Sequence, residues 1–151
     1  MKDNYYLSVG CIVRKEDQVL MVRHTYGGAK DKLLIPGGFC NAGELPEEAA
    51  CREVMEETGV KAEAKGVLGL RCHKNNWYLL VVMEHIKGEP QSDHNENSEA
   101  VYVGIEEALK RDDVTQMTKV ALQALLDKGD KLLFPDAGYK KRKGDDYELY
   151  I

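Results

Sequence analysis

Three glutamates in the first half of the chain have a spacing that could support chemistry. Glu53, Glu56 and Glu57 lie in the segment GELPEEAACREVMEETGV, residues 43–60. On a helix, residues separated by three and four positions share a face, so these carboxylates would point to one region. Such like charges repel by roughly a few tenths of a kcal/mol per exposed pair. A Mg²⁺ or Mn²⁺ ion, which prefers oxygen ligands, would remove that repulsion. The plainer alternative is a solvated acidic face, the usual role of a Glu-rich helix.

The segment also carries the signals that begin and end a helix. Its proline suits the first helical turn, where a missing N–H costs nothing, and Gly59 suits the position after the last turn. The sequence therefore predicts a helix over Pro46–Thr58. Arg52 has Glu48 and Glu56 four residues away on either side, so we expect it to steady the carboxylate array.

The elements around this helix must position it against a sheet. Segments rich in β-branched and aromatic residues predict strands, and amphipathic spacing predicts two further helices. The predicted strands are 5–13, 19–25, 33–39, 61–73, 76–86 and 100–104, and the predicted helices are 105–111 and 114–129. Residues 87–99 are polar and predict a loop. This order favours a single α+β domain over residues 1–151, in which a sheet packs against helices.

Composition narrows the class of protein. The formal net charge of −5 over 151 residues argues against a protein that binds the backbone of a nucleic acid polymer. No apolar run is long enough to span a bilayer, and the first residues lack a signal-peptide pattern, so we expect no membrane partner. The four cysteines lack the C-x-x-C spacing of a zinc or redox motif, which favours a reduced, cytoplasmic protein.

Nine positions around the acidic helix fit the pattern G-x5-E-x7-R-E-U-x-E-E-x-G-U, where U is aliphatic. The nine residues are Gly38, Glu44, Arg52, Glu53, Val54, Glu56, Glu57, Gly59 and Val60. This arrangement resembles the Nudix box, the motif of the Nudix hydrolases. The preceding IPGG, which includes Gly37, is similar to the lead-in usual in that family. The order of elements over residues 5–128 also resembles the family, whereas the tail from about residue 129 lies outside the resemblance.

The resemblance implies a fold, a reaction and a set of roles. Nudix proteins are α/β/α sandwiches around a mixed sheet, and they hydrolyse nucleoside diphosphates linked to another moiety with Mg²⁺ or Mn²⁺. By this likeness Glu53, Glu56 and Glu57 would be metal ligands, and Arg52 and Glu44 would orient them. One of the three ligands, or a glutamate from a later loop, would activate the attacking water. Gly37, Gly38 and Gly59 would shape the loop–helix–loop backbone. The chemistry is consistent, because a cation can bridge carboxylates to phosphate oxygens and lower the pKa of a bound water.

Residues outside the box supply further candidates. Many Nudix proteins use a later loop glutamate as metal ligand or general base, and both Glu96 and Glu99 fit that description here. Either can equally be a solvated loop carboxylate. Arg23, at the end of a predicted strand, has the fork of donors that suits a substrate phosphate, although an ordinary surface role is also open.

Two aromatic residues and the tail leave alternatives open. Leu33 stands where family members often carry a tryptophan. Trp77 and Tyr78 can stack on a base, or they can pack in the hydrophobic core as part of a strand. The basic cluster Lys140–Lys143 is either a solvated tail or a surface for an anionic ligand or a partner subunit, and the final YELYI can pair as an edge strand or cover an interface.

The leading interpretation is a metal-dependent pyrophosphohydrolase acting on a nucleotide-type small molecule. A non-catalytic nucleotide-binding or sensing Nudix module and a structural protein with an acidic surface are the alternatives. The box does not choose among a nucleoside triphosphate, ADP-ribose and other nucleotides as substrate. A homodimer is compatible with the resemblance.

Overall fold

The fold is built on a mixed β-sheet in the computed structural model, which describes residues 5–129, 131–136, 138 and 149–151. The strands are β1 Tyr6–Lys15, β2 Gln18–His24, β3 Leu33–Leu34, β4 Gly37–Phe39, β5 Lys61–Cys72, β6 Asn76–Lys87 and β7 Asn97–Gly104. The helices are α1 Pro46–Thr58, α2 Ile105–Lys110 and α3 Gln116–Lys128, with a 3₁₀ turn at Gly27–Ala29. Across the described ranges, none of these helices combines the length and apolar character needed to cross a bilayer.

The sheet divides at its first hairpin. β1 and β2 pair only beside their turn, where Arg14 faces Val19. Farther along, β1 takes β4 as its antiparallel neighbour and β2 takes β7. On its other side β1 runs parallel to β6, which pairs with β5. The division places the short strand β4, which leads into α1, directly against β1.

Each face of the sheet is covered by helices, which confirms the α/β/α sandwich. Side chains alternate between the faces of a strand, so neighbouring apolar residues enter two different cores. One core packs Ile12 and Leu80 against Leu122 of α3. The other packs Val9 against Ala50 and Val54 of α1. The acidic helix therefore buries its apolar side on the sheet and keeps its carboxylates along the edge of that contact.

The predicted strand over residues 33–39 is in fact two strands with different partners. Leu33 and Leu34 pair with β2, whereas Gly37–Phe39 pairs with β1. Pro36 between them has no N–H to give to a ladder, and its carbonyl instead accepts from the Cys11 N–H at 2.8 Å. The break turns the chain toward the start of α1.

The C-terminal segment adds to the free edge of β5. The backbone groups of Leu133 and Val67 exchange hydrogen bonds of 2.9 and 3.0 Å, and those of Phe134 and Ile151 exchange two of 3.0 Å. The last three residues of the predicted YELYI strand thus pair antiparallel with residues 134–136. Its first two residues and the basic cluster Lys140–Lys143 lie outside the described residues.

Candidate active site

The acidic helix begins with a cap formed by one of its own side chains. The Glu48 carboxylate accepts from the Leu45 backbone N–H at 2.8 Å, which satisfies a donor that the first turn leaves without a helical partner. Glu48 is therefore engaged at the cap, and the predicted contact between Glu48 and Arg52 is replaced by this bond. The helix ends at Gly59, whose φ of 71° lies in the left-handed region that glycine adopts without strain.

Arg52 binds the carboxylates along one side of α1. Its Nε and Nη2 donate to the two oxygens of Glu44 at 2.7 and 2.9 Å, the two-pronged geometry in which arginine holds a carboxylate best. Its Nη1 donates to Glu53 at 2.9 Å and to Glu56 at 3.2 Å, and Nη2 also donates to the Phe39 carbonyl. The bonds from Arg52 hold the pKa of Glu44 below its usual range. Glu44 and Arg52 thus fix the acidic helix to the turn before it.

Glu57 is buried and Glu53 is half-buried against the glycine turn that precedes α1. Glu57 is only 4% exposed, and its Oε1 accepts a long bond of 3.4 Å from the Gly37 N–H. A Cβ atom on Gly38 would lie 2.4 Å from Oε1 of Glu53, so this contact requires a glycine. Burial raises the pKa of Glu53, and it raises the pKa of Glu57 to about 8, to which the neighbouring Glu53 adds. Arg52 Nη1 partners the Glu53 carboxylate at 2.9 Å, whereas no cationic side chain among the described residues pairs with the Glu57 carboxylate.

These donors fit a divalent cation by their chemistry. Buried carboxylates that resist ionisation are stabilised by a hard cation, and Glu56, with 58% of its side chain exposed, offers oxygens from the solvent side. Among the residues that the structure describes, no three Asp, Glu, His or Cys side chains are arranged so that they could hold a metal ion together. Arg52 engages Glu53 and Glu56, so ion binding would require these side chains to rotate.

The loop before β7 brings the negative charges of Asp93 and Glu96 near Glu57. The Asp93 Oδ1 accepts from the backbone N–H groups of Asn95 at 2.9 Å and Asn97 at 3.0 Å, and the buried Asn97 side chain donates to the Glu57 carbonyl at 2.9 Å. These bonds attach the loop to the last turn of α1. The negative charge of Glu96 raises the pKa of both Glu53 and Glu57, and that of Asp93 also raises the pKa of Glu57.

Asn97 is the functional candidate that sequence reasoning missed. It connects the Glu96 loop to α1 through a backbone carbonyl, a contact that no spacing in the sequence indicates. The only available signal was the DHNEN run, because an aspartate that accepts from backbone groups two and four residues on is a common turn former.

Glu99 and Arg23 are engaged elsewhere. They face each other across β2 and β7, where Arg23 Nε donates to Glu99 Oε2 at 2.8 Å. Arg23 also donates to the Asp113 carboxylate at 3.1 Å and to the Asp31 carbonyl at 2.8 Å. This network ties β2 to β7 and to the segment before α3, and it occupies the donors that were predicted for a substrate phosphate. Glu99 lies within β7 and not in the loop that the sequence predicted to extend through residue 99.

Trp77 and Tyr78 project from opposite faces of β6. Tyr78 lines a cavity of about 350 Å³ together with Gly37, Gly38 and Phe39. Trp77 instead packs edge-on against Tyr5, with 5.8 Å between ring centroids. Of the two aromatic residues singled out in the sequence, only Tyr78 lies beside the glycine turn.

The contacts of Arg52 lead to a first prediction. We expect Arg52→Lys to lower the affinity for Mg²⁺ or Mn²⁺ by about 10- to 100-fold, because an ammonium cannot hold Glu44 with two prongs while it also reaches Glu53. Titration calorimetry of the purified variant measures the change. Arg111→Lys is the matched control, since Arg111 makes a similar two-pronged contact with Asp113 away from α1. Equal affinities in both variants would contradict the orienting role.

Comparison with known proteins places this geometry in a family. A family model described as the NUDIX domain matches residues 4–124. ADP-ribose pyrophosphatase of Methanocaldococcus jannaschii is 36% identical over 64 residues, which cover 42% of this chain and 38% of that protein. Diphosphoinositol polyphosphate phosphohydrolase 2 of Rattus norvegicus is 39% identical over 75 residues, which cover 46% and 41%. The chain thus spans less than half the length of these curated relatives.

Solved structures show the same fold at low identity. The crystal structure of a NUDIX hydrolase from Nitrosomonas europaea superposes with a TM-score of 0.76 and 21% identity, covering 85% of this chain and 74% of that one. The family model spans most of the chain and includes all nine positions of the acidic motif. This chain therefore belongs to the NUDIX domain family.

Proposed function

We propose that this protein hydrolyses the pyrophosphate linkage of nucleoside diphosphates joined to another moiety, with a divalent cation held by Glu53, Glu56 and Glu57. The observation that carries the proposal is the burial of the Glu57 carboxylate against the glycine turn, where no cationic side chain among the described residues pairs with it. A pyrophosphate is itself densely negative, so an acidic site can accept it only together with a cation.

Each residue of the cluster then has a distinct task. Glu44 and Arg52 fix the position of Glu53, while the glycine turn allows Glu53 and Glu57 to approach the backbone. The cation, when bound, would supply a Lewis acid and lower the pKa of a nucleophilic water. Glu96 is the general base in this proposal, because its loop is attached to α1 and its charge acts on the same carboxylates.

The names of the relatives support the reaction class but diverge on the substrate. One is a pyrophosphatase of ADP-ribose and another a phosphohydrolase of diphosphoinositol polyphosphate. Both names describe cleavage at a phosphate group, whereas the attached groups are chemically unrelated. The reaction class is accordingly the common element, and the substrate depends on features outside the acidic helix.

A hydrolysis panel tests the proposal. We expect the purified chain to release phosphate-containing products from at least one of the nucleoside triphosphates, ADP-ribose or dinucleoside polyphosphates, with Mg²⁺ or Mn²⁺ present. EDTA should abolish the release, because the site depends on the cation. Nucleotide binding without turnover would favour the non-catalytic module. The absence of both binding and turnover would favour a structural protein.

A further inference from the structure

We propose that Thr25 and Asn97 are positioning residues, which hold the backbone of Glu96 from two sides and so fix the general base beside Glu57. This inference rests on the proposed function, because it concerns how Glu96 is placed for the reaction assigned to it there. The Glu96 loop consists of residues 88–96, which join β6 to β7. Glu96 is exposed, so its position depends on how its backbone is held and not on the packing of its side chain.

Thr25 attaches the Glu96 loop to the end of β2. Its backbone N–H donates to the Glu96 carbonyl at 3.1 Å, and its hydroxyl lies 2.9 Å from the Asn95 carbonyl and 3.1 Å from the Glu96 carbonyl. The pairing of β2 with β7 shifts register between Arg23 and His24, and the bonds from Thr25 continue the contact beyond that irregularity. The backbone of Glu96 is therefore fixed to the sheet on this side.

Asn97 attaches the same loop to the C-terminal end of α1. Its side chain is 1% exposed, and its Nδ2 donates to the Glu57 carbonyl at 2.9 Å. The Gln91 N–H donates to the Thr58 carbonyl, also at 2.9 Å. The last four carbonyls of a helix have no partner within the helix, and the loop supplies donors to two of them. The residue that follows Glu96 is thus bonded to the backbone of Glu57 itself.

Hydrogen bonds within the Glu96 loop make it a single unit. The Ser92 hydroxyl donates to the Asn97 carbonyl at 2.7 Å and accepts from the His94 N–H at 3.0 Å. The Asp93 carboxylate accepts from two further N–H groups of the same turn. Because these bonds limit internal movement, the attachments at Thr25 and Asn97 determine where Glu96 lies relative to α1.

The charges in this region explain why Glu96 needs to be held. Its negative charge acts on both Glu53 and Glu57, which shows that these carboxylates lie close enough to repel one another when ionised. An exposed glutamate on an unattached loop would move away from α1 under this repulsion. Both attachments use the backbone of the loop or the Asn97 amide, so they oppose the repulsion without neutralising the base.

A double-mutant cycle with Glu96 tests the positioning role on the best substrate of the hydrolysis panel. We expect Thr25→Val and Asn97→Ala each to lower kcat by about 10- to 100-fold with KM within about twofold, because a displaced base is poorly aligned with the attacking water. Thr25→Ser keeps the hydroxyl and should retain the wild-type kcat. In a Glu96→Gln background neither substitution should lower kcat further, since both residues act through Glu96.

Thr118→Val is the matched control, since it removes the same hydroxyl from a threonine on the α3 side of the sheet. The Thr118 hydroxyl accepts from the Ile35 N–H at 3.3 Å and from the Thr115 hydroxyl at 3.0 Å. We expect this variant to lose unfolding free energy while it keeps the wild-type kcat. Thr25 is exposed, so Thr25→Val still tests the proposal if Asn97→Ala fails to fold.

Hydrogen–deuterium exchange of the protein in EDTA provides a measurement that needs neither cation nor turnover. We expect the amides of residues 88–97 to exchange faster in Thr25→Val and Asn97→Ala than in the wild type, because each variant removes one attachment of the loop. Unchanged exchange, or equal losses of kcat in the wild-type and Glu96→Gln backgrounds, would overturn this proposal alone. A wild-type protein that hydrolyses nothing in the panel would overturn the proposed function together with it.

Discussion

Glu57→Gln is expected to lower cation-dependent hydrolysis about a thousandfold while it preserves the fold. Glutamine has the same size and can still accept the bond from the Gly37 N–H, but it carries no charge to hold a cation. Loss of several kcal/mol of transition-state stabilisation corresponds to a rate change of that order. Steady-state kcat at saturating Mg²⁺ or Mn²⁺ measures the effect, and circular dichroism verifies the fold. We expect Glu53→Gln to behave in the same way.

The same substitution should have the opposite effect on the stability of the metal-free protein. Burial raises the folded-state pKa of Glu57 to about 8 from 4.5. The stability that its neutral form contributes is therefore complete below pH of about 4.5 and is lost as the pH rises through about 8. Glutamine stays neutral, so at pH 9 in EDTA the variant should be more stable than the wild type, by on the order of 5 kcal/mol. Saturating cation should reverse the order, because the ion binds the ionised carboxylate.

Glu63→Gln provides the comparison for both measurements. Glu63 lies on β5, is exposed, and pairs with Lys65 away from the acidic cluster. We expect this variant to retain the wild-type rate and the wild-type dependence of stability on pH. Wild-type turnover in both Glu53→Gln and Glu57→Gln would refute the assignment of these carboxylates to the cation.

Local signals explain why the bounds of the acidic helix could be predicted from the sequence. Both ends of α1 are set by residues within it or next to it, namely its proline and Gly59, and the predicted bounds agree with the structure. The nine positions of the motif also fall within one continuous segment. The predicted contact of Arg52 with Glu56 forms, whereas Glu48 binds the Leu45 N–H, and Arg52 also holds Glu44 and Glu53. Predictions of this kind depend on short-range geometry.

The environments of the three glutamates could not be predicted from spacing. Glu56 and Glu57 are adjacent, yet one is exposed and the other is almost fully buried. The difference arises because β4 and the Glu96 loop both contact one side of α1, and the loop approaches from a distant part of the chain. A shared helix face therefore did not imply a shared solvent exposure.

The contact between Arg23 and Glu99 likewise could not be predicted from the sequence. Their interaction depends on the register of β2 against β7, which joins residues 76 positions apart in the chain. From the sequence, Arg23 was a candidate for binding a substrate phosphate and Glu99 was a candidate metal ligand or general base. The register instead makes them partners, because opposite charges directly across two strands attract.

The second large effect that we expect is the loss of turnover when Glu96 is replaced, with Glu99 as the comparison. Glu96→Gln should lower kcat by about 10²- to 10⁴-fold, the usual contribution of a general base, and should change KM little. Glu99→Gln should leave kcat within a few fold. Its main effect should be a loss of at most about 1 kcal/mol of unfolding free energy, because its pair with Arg23 is partly exposed and screened by solvent.

Chemical denaturation and steady-state kinetics on the same two preparations separate the roles. Glu96 and Glu99 differ by three positions in the chain, carry the same group and lie near the same end of β7, so the two variants control for each other. The bond between Asn97 and the Glu57 carbonyl favours Glu96, since it fixes the preceding residue beside α1. A larger loss of kcat in Glu99→Gln than in Glu96→Gln would overturn this assignment, because it would mean that the ion pair with Arg23 opens during turnover and that Glu99 provides the base.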